Sequence, residues 1–130
     1  MKPVPSPTDA NKAFWEGCAD GKLRLRKCAK CGKHQAPTRN ACGCGSSELQ
    51  WVETSGRGKV YSFNVVHRAP DPAFREELPY VIAIVDLEEG ARLMSNITGS
   101  PPDAVKVGAP VRAVFETAAE GIGLPKFQLA

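Results

Sequence analysis

The rhythm of apolar and polar positions changes once along this chain, near residue 21. Before it, Ala10, Ala13, Phe14 and Cys18 recur at helical spacing, with Trp15 widening the apolar stripe. The spacing predicts a helix of about three turns, capped by Thr8 or Asp9 and stopping near Gly21. A helix that short must dock on something to persist, either the chain's own β-domain or a partner. The preceding segment, residues 1–7, holds three prolines and reads as an extended arm.

After Gly21 the period shortens to two. Leu23 and Leu25 alternate with basic residues, predicting a half-buried strand, and Lys33 to Arg39 reads as its return strand, kinked at Pro37. A strand starts at Trp51, Val52, Glu53 and Thr54, and Ser55 to Gly58 is a turn. In Lys59 to His67, Tyr61, Phe63 and Val65 are expected to face the core. The run Tyr80 to Val85 is continuously apolar and reads as a strand buried on both sides. Leu87 to Gly90 is a hairpin turn, and Ala91 to Ile97 pairs back. Pro101 to Val107 reads as a short helical or turn segment. Val111, Ala113 and Phe115 share one strand face, and Leu124 to Leu129 is expected as a final edge strand. Five or so strands, with a long loop after the first and a short link late, predict a small closed OB-type barrel; a sandwich is the alternative. The fold class is therefore mainly β, with an N-terminal helix.

Cysteine changes this picture most. Four of the five cysteines lie between positions 28 and 44, as Cys28-Ala-Lys-Cys31-Gly32 and Cys42-Gly-Cys44-Gly45. Two turns that each offer two thiolates make a tetrahedral Zn²⁺ site, with Cys28, Cys31, Cys42 and Cys44 as the metal ligands. The second pair is one residue shorter than usual, so replacement of a ligand by His34 or Cys18 stays open. Iron takes the same ligand set. Four thiolates leave no open position, so the metal would be structural.

Charge and composition narrow the function. The hydrophobic share of 42%, the charged share of 24% and the net charge of +3 are ordinary for a globular chain and low for a dedicated nucleic-acid binder. No run reaches the ~20 apolar residues of a membrane span. The odd cysteine count argues against a full set of disulfides, which fits a reducing, cytoplasmic setting. No nucleophile constellation stands out, so no residue is assigned a catalytic role. Lys59, His67 and Arg68 are candidates for contact with an anionic ligand on the barrel face.

Taken in order, Phe14-Trp15, the Leu-Arg-Leu-Arg-Lys-Cys28 lead-in, Cys28-x-x-Cys31-Gly, Pro37-x-Arg39, Cys42-x-Cys44-Gly-Ser, Trp51, Ser55-Gly-Arg-Gly-Lys-Val-Tyr-Ser62 and Val-Val-His67 resemble the DUF35 family over nearly the whole chain. The resemblance implies a helical arm (1–21), a rubredoxin-like zinc ribbon (22–50) and an OB-fold domain (51–130). It also implies an accessory role beside a thiolase-superfamily enzyme (a thiolase, acyltransferase or retro-aldolase). That partner would carry the catalytic residues, and a CoA thioester would lie at the partner interface. Two other classes compete: a single-stranded nucleic-acid-binding module, and a stand-alone acyl-CoA enzyme.

Overall fold

The computed structural model describes residues 4–130. Of the arm expected over residues 1–7, residues 1–3 lie outside the described residues; Val4 to Thr8 has no regular structure. Helix α1 (Lys12–Ala19) starts later than the spacing suggested. The Thr8 amide donates to Asn11 Oδ1 at 2.7 Å, and the Asn11 carbonyl receives the amides of Phe14 and Trp15 at 3.0 and 3.3 Å. Residues 8–11 thus form a turn in place of a side-chain cap. No helix among the described residues is long and apolar enough to cross a membrane.

Eight strands follow. The first three, β1 (Arg24–Cys28), β2 (His34–Gln35) and β3 (Leu49–Glu53), form an antiparallel sheet in the order β2-β1-β3. The other five are β4 (Arg57–Val66), β5 (Tyr80–Leu87), β6 (Arg92–Thr98), β7 (Pro110–Ala119) and β8 (Ile122–Leu129). They close into a barrel in the order β4-β5-β6-β8-β7, the OB arrangement. A 3-10 turn (Pro72–Glu77) sits in the long loop, and another (Pro102–Ala104) links β6 to β7.

One core runs through both sheets. Leu23 and Leu25 from the ribbon, Phe14 and Cys18 from α1, and Val60, Val85, Val111 and Phe127 from the barrel belong to a single buried cluster. Gly123 on β8 shows how closely the helix lies: a Cβ there would come within 2.6 Å of the Cys18 carbonyl oxygen. The alternation in β1 also serves this packing. Arg24 donates to the Ala13 carbonyl at 3.0 Å and Arg26 to the Ala10 carbonyl at 2.9 Å, holding the start of the helix against the ribbon.

Four expectations need correction. Tyr61 is 48% exposed, because a bulge between Val60 and Ser62 turns it out of the core, where its ring lies 3.8 Å below the Arg92 guanidinium. The apolar run in β5 is sealed on one side only: Val81, Ala83, Val85 and Leu87 are buried, while Tyr80, Ile82 and Ile84 are half-buried on the outer face. And β8 is not an edge: it pairs with β7 along its length and with β6 at Ile97–Phe127 and Thr98–Gln128. The return strand of the ribbon is also shorter than expected, only His34–Gln35.

Candidate metal centre and binding faces

The cysteines come together because both turns fold the same way. In the first, the Gly32 amide donates to the Cys28 carbonyl at 2.9 Å and the Cys28 amide to the Lys33 carbonyl at 2.9 Å. In the second, the Gly45 amide donates to the Cys42 carbonyl at 2.9 Å and the Cys42 amide to the Ser46 carbonyl at 2.8 Å. The second turn is the first with one residue removed from the loop and both closing bonds kept. Each ends on a glycine in the left-handed region, Gly32 at φ 79° and Gly45 at φ 93°, where a Cβ would be strained.

All four Sγ atoms lie within 4.8 Å of one another. Cys28 and Cys44 are 3.7 Å apart and Cys31 and Cys42 3.4 Å apart, far beyond a covalent sulfur–sulfur bond. Zn–S bonds of about 2.3 Å place the corners of a tetrahedron about 3.8 Å apart, so the sulfur spacing fits a Cys₄ zinc. Cys28 and Cys42 are buried and Cys31 and Cys44 exposed, which puts one edge of the tetrahedron at the surface. His34 on β2 and Cys18 in the core are not part of the cluster.

The thiols are not equivalent. The Cys31 amide, 3.4 Å from Cys28 Sγ, is the main influence holding the Cys28 thiol down to about 6, against the opposing effect of burial. For Cys42 the Cys44 amide pulls downward, but hydrogen bonding to Cys31 and burial outweigh it and push the thiol up to about 11. Cys28 therefore gives up its proton before Cys42. Gln35 Nε2 donates to Cys42 Sγ at 3.4 Å, a contact that stabilises the thiolate form a metal requires. No motif in the sequence singled out Gln35.

The candidates for anion contact are dispersed. Lys59 is exposed near the start of β4, opposite Asp86 and Pro110, while His67 and Arg68 are exposed beyond the end of that strand. Eight residues of extended chain separate Lys59 from His67, on the order of 25 Å. On the outer face of β5 and β6, where OB barrels take oligonucleotides, a groove of about 700 Å³ has Lys126 as its one basic side chain among the described residues, alongside Glu77 and Glu116. Single-strand binding needs a basic track with stacking rings, and among the described residues this groove offers one cation.

Residues 15–50 match a family model for the rubredoxin-like zinc ribbon domain of ChsH2, and residues 51–116 match the model for its C-terminal OB-fold domain. The chain belongs to the ChsH2 (DUF35) family. A solved structure, "Ltp2-ChsH2(DUF35) aldolase", superposes with a TM-score of 0.83 at 37% identity, covering 96% of this chain and 98% of that one. The chain is 37% identical over its full length to a "Probable enoyl-CoA hydratase alpha subunit" from Thermomonospora curvata, of which it spans 40%. It is 36% identical over 77 residues, 59% of the chain, to "Benzoylsuccinyl-CoA thiolase subunit BbsA" from Geobacter metallireducens, of which the match covers 51%. The DUF35 fold thus occurs here with the zinc ribbon and closed barrel that its sequence motifs implied.

Proposed function

We propose that this chain is a zinc-braced, non-catalytic subunit that docks on a thiolase-superfamily enzyme acting on acyl-CoA, a thiolase, acyltransferase or retro-aldolase. In this reading it supports the partner's assembly and acyl-CoA site. The observation that carries the reading is the end-to-end match to the DUF35 chain of an aldolase, which includes helix, ribbon and barrel together. The names of the thiolase and hydratase subunits point the same way.

Within that role the arm and helix (1–21), ribbon (22–50) and barrel (51–130) act as three parts. Strand β3 ties the last two, since it pairs with β1 from Leu49 to Glu53. Cys28, Cys31, Cys42 and Cys44 hold the zinc, whose contribution is to fix the ribbon's shape. Lys59 near one end of β4, and His67 and Arg68 beyond the other, contact anionic groups of a CoA thioester at the partner interface, each end separately. Cysteines gathered for a metal in place of disulfides suit a reducing, cytoplasmic setting.

Co-expression with thiolase-superfamily candidates, followed by size-exclusion chromatography and acyl-CoA turnover assays, tests the reading. The expected result is co-elution with one candidate and turnover only by the pair. A chain that stays alone with every candidate, or that turns over acyl-CoA unaided, overturns it.

A further inference from the structure

The barrel has one weak seam. β6 and β8 run parallel, whereas every other pair of barrel neighbours is antiparallel, and their ladder lasts only two residue pairs, Ile97–Phe127 and Thr98–Gln128. Next to it, side chains span the gap. The Ser95 hydroxyl donates to the Pro125 carbonyl at 2.7 Å, and Lys126 Nζ donates to Asn96 Oδ1 at 2.6 Å. Asn96 is held in that orientation by its own amide, which donates to the Val81 carbonyl at 2.9 Å.

The groove of about 700 Å³ lies over this seam, within the usual size of small-molecule sites. Its apolar walls come from Tyr80, Ile82, Met94, Phe74, Leu124 and Val4. Met94 is 69% exposed, a thioether presented to solvent on a sheet face. Lys126 is half-buried, uses one of its three donors on Asn96, and has no carboxylate partner among the described residues. An ammonium partly withdrawn from water, with donors to spare and hydrocarbon around it, favours an anionic acceptor. Glu116, exposed in the same lining, acts against more than one negative charge.

We propose that this groove binds small apolar monocarboxylates, with the carboxylate on Lys126 and the alkyl or aryl body against Met94, Ile82 and Tyr80. The site needs no partner chain, so it stands or falls independently of the docking role.

The test is a titration of the full, isotope-labelled chain, followed by backbone-amide NMR, with octanoate, octanol and inorganic phosphate as separate probes. Octanoate is expected to give saturable shifts confined to β5, β6, β8 and the Pro72–Glu77 turn. Octanol is expected to bind at least about tenfold more weakly, because it lacks the charge-assisted hydrogen bond. Phosphate should give no saturable shift. Lys126→Met should lower octanoate affinity by about tenfold or more and bring it to the level of octanol, while Lys106→Met, exposed and outside the groove lining, leaves it unchanged. Should Lys126→Met lose its dispersed spectrum, Met94→Asp, at an exposed position, carries the test by placing a like charge in the wall and abolishing octanoate binding. No saturation by octanoate, equal affinity for octanol, shifts elsewhere on the chain, or undiminished affinity in the folded variant tested would overturn the proposal.

Discussion

The ribbon and the barrel are held together by different physics. The barrel closes its hydrogen-bond ladder on itself and fills the interior with alternate residues of each strand, such as Val81, Ala83, Val85 and Leu87 of β5 around the fully sealed Phe127. The near end of the ribbon shares that core through Leu23 and Leu25. Its far end does not. Between residues 29 and 48 the buried positions are Pro37 and Cys42. Two residues cannot exclude enough water to order twenty, so this part turns on the four-sulfur cluster and on the metal that the cluster would hold. One chain thus uses solvent exclusion in its barrel and a convergent set of four thiols at the far end of its ribbon.

The sharpest way to break that contrast is Cys31→Ser. Cys31 is exposed, so the exchange of sulfur for oxygen leaves no cavity, and any large effect must come through the metal. Structural zinc contributes apparent free energies of about 10–16 kcal/mol in small zinc modules near neutral pH, and loss of one ligand forfeits a large part of it. Native mass spectrometry should show the zinc gone, with fast hydrogen exchange across residues 24–50 and preserved protection in β4 to β8. Full zinc and slow exchange in the variant would show that the ribbon does not rest on its four sulfurs.

Phe127→Ala is the mirror experiment. Phe127 has no exposed surface, and truncating a buried phenylalanine costs about 3–5 kcal/mol through lost transfer energy and the remaining cavity. The denaturant midpoint should fall and barrel protection with it, while zinc stoichiometry under native conditions stays at that of the wild type. Parallel loss of zinc would mean that the two regions form a single cooperative unit.

The sequence made these two regions legible to different depths. The convergence of the four sulfurs was plain, because thiolate chemistry demands paired cysteines near turns and few other reasons put four in so short a span. The shortened second pair was visible as a departure; what could not be read was that Gly45 closes it with the same bonds as Gly32. Leu23 and Leu25 declared their buried face because a strand with one solvated side alternates. β5 misled for the opposite reason: Ile82 and Ile84 are apolar on the outer face, so the run carried no sign of which side was sealed. Tyr61 failed because one inserted residue reverses the faces of a strand, and a bulge leaves no compositional mark. The groove was invisible, since it depends on β6 meeting β8 in parallel across some thirty residues of sequence.

The smallest effect concerns the joint between the two regions. Cys18 is packed under α1 beside β8, and burial pushes its thiol up to about 11, with the Arg24 charge acting in the other direction. In the unfolded chain the same thiol ionises near 9, the ordinary value for cysteine. Between these values the unfolded state has lost its proton and the folded state keeps it, so stability falls as pH rises. The contribution is whole below about pH 9 and fades towards 11. Zinc-bound cysteines carry no proton to lose over this range, and Lys and Tyr titrate alike in a variant that keeps them. The difference between the wild type and Cys18→Ala therefore isolates this thiol. Urea midpoints of the two should be furthest apart at about pH 8 and converge by about pH 10.5, as the wild type alone pays for sealing an ionisable group. A gap that stayed constant with pH would mean that the thiol can reach water in the folded chain, and that the helix does not seal the joint between ribbon and barrel.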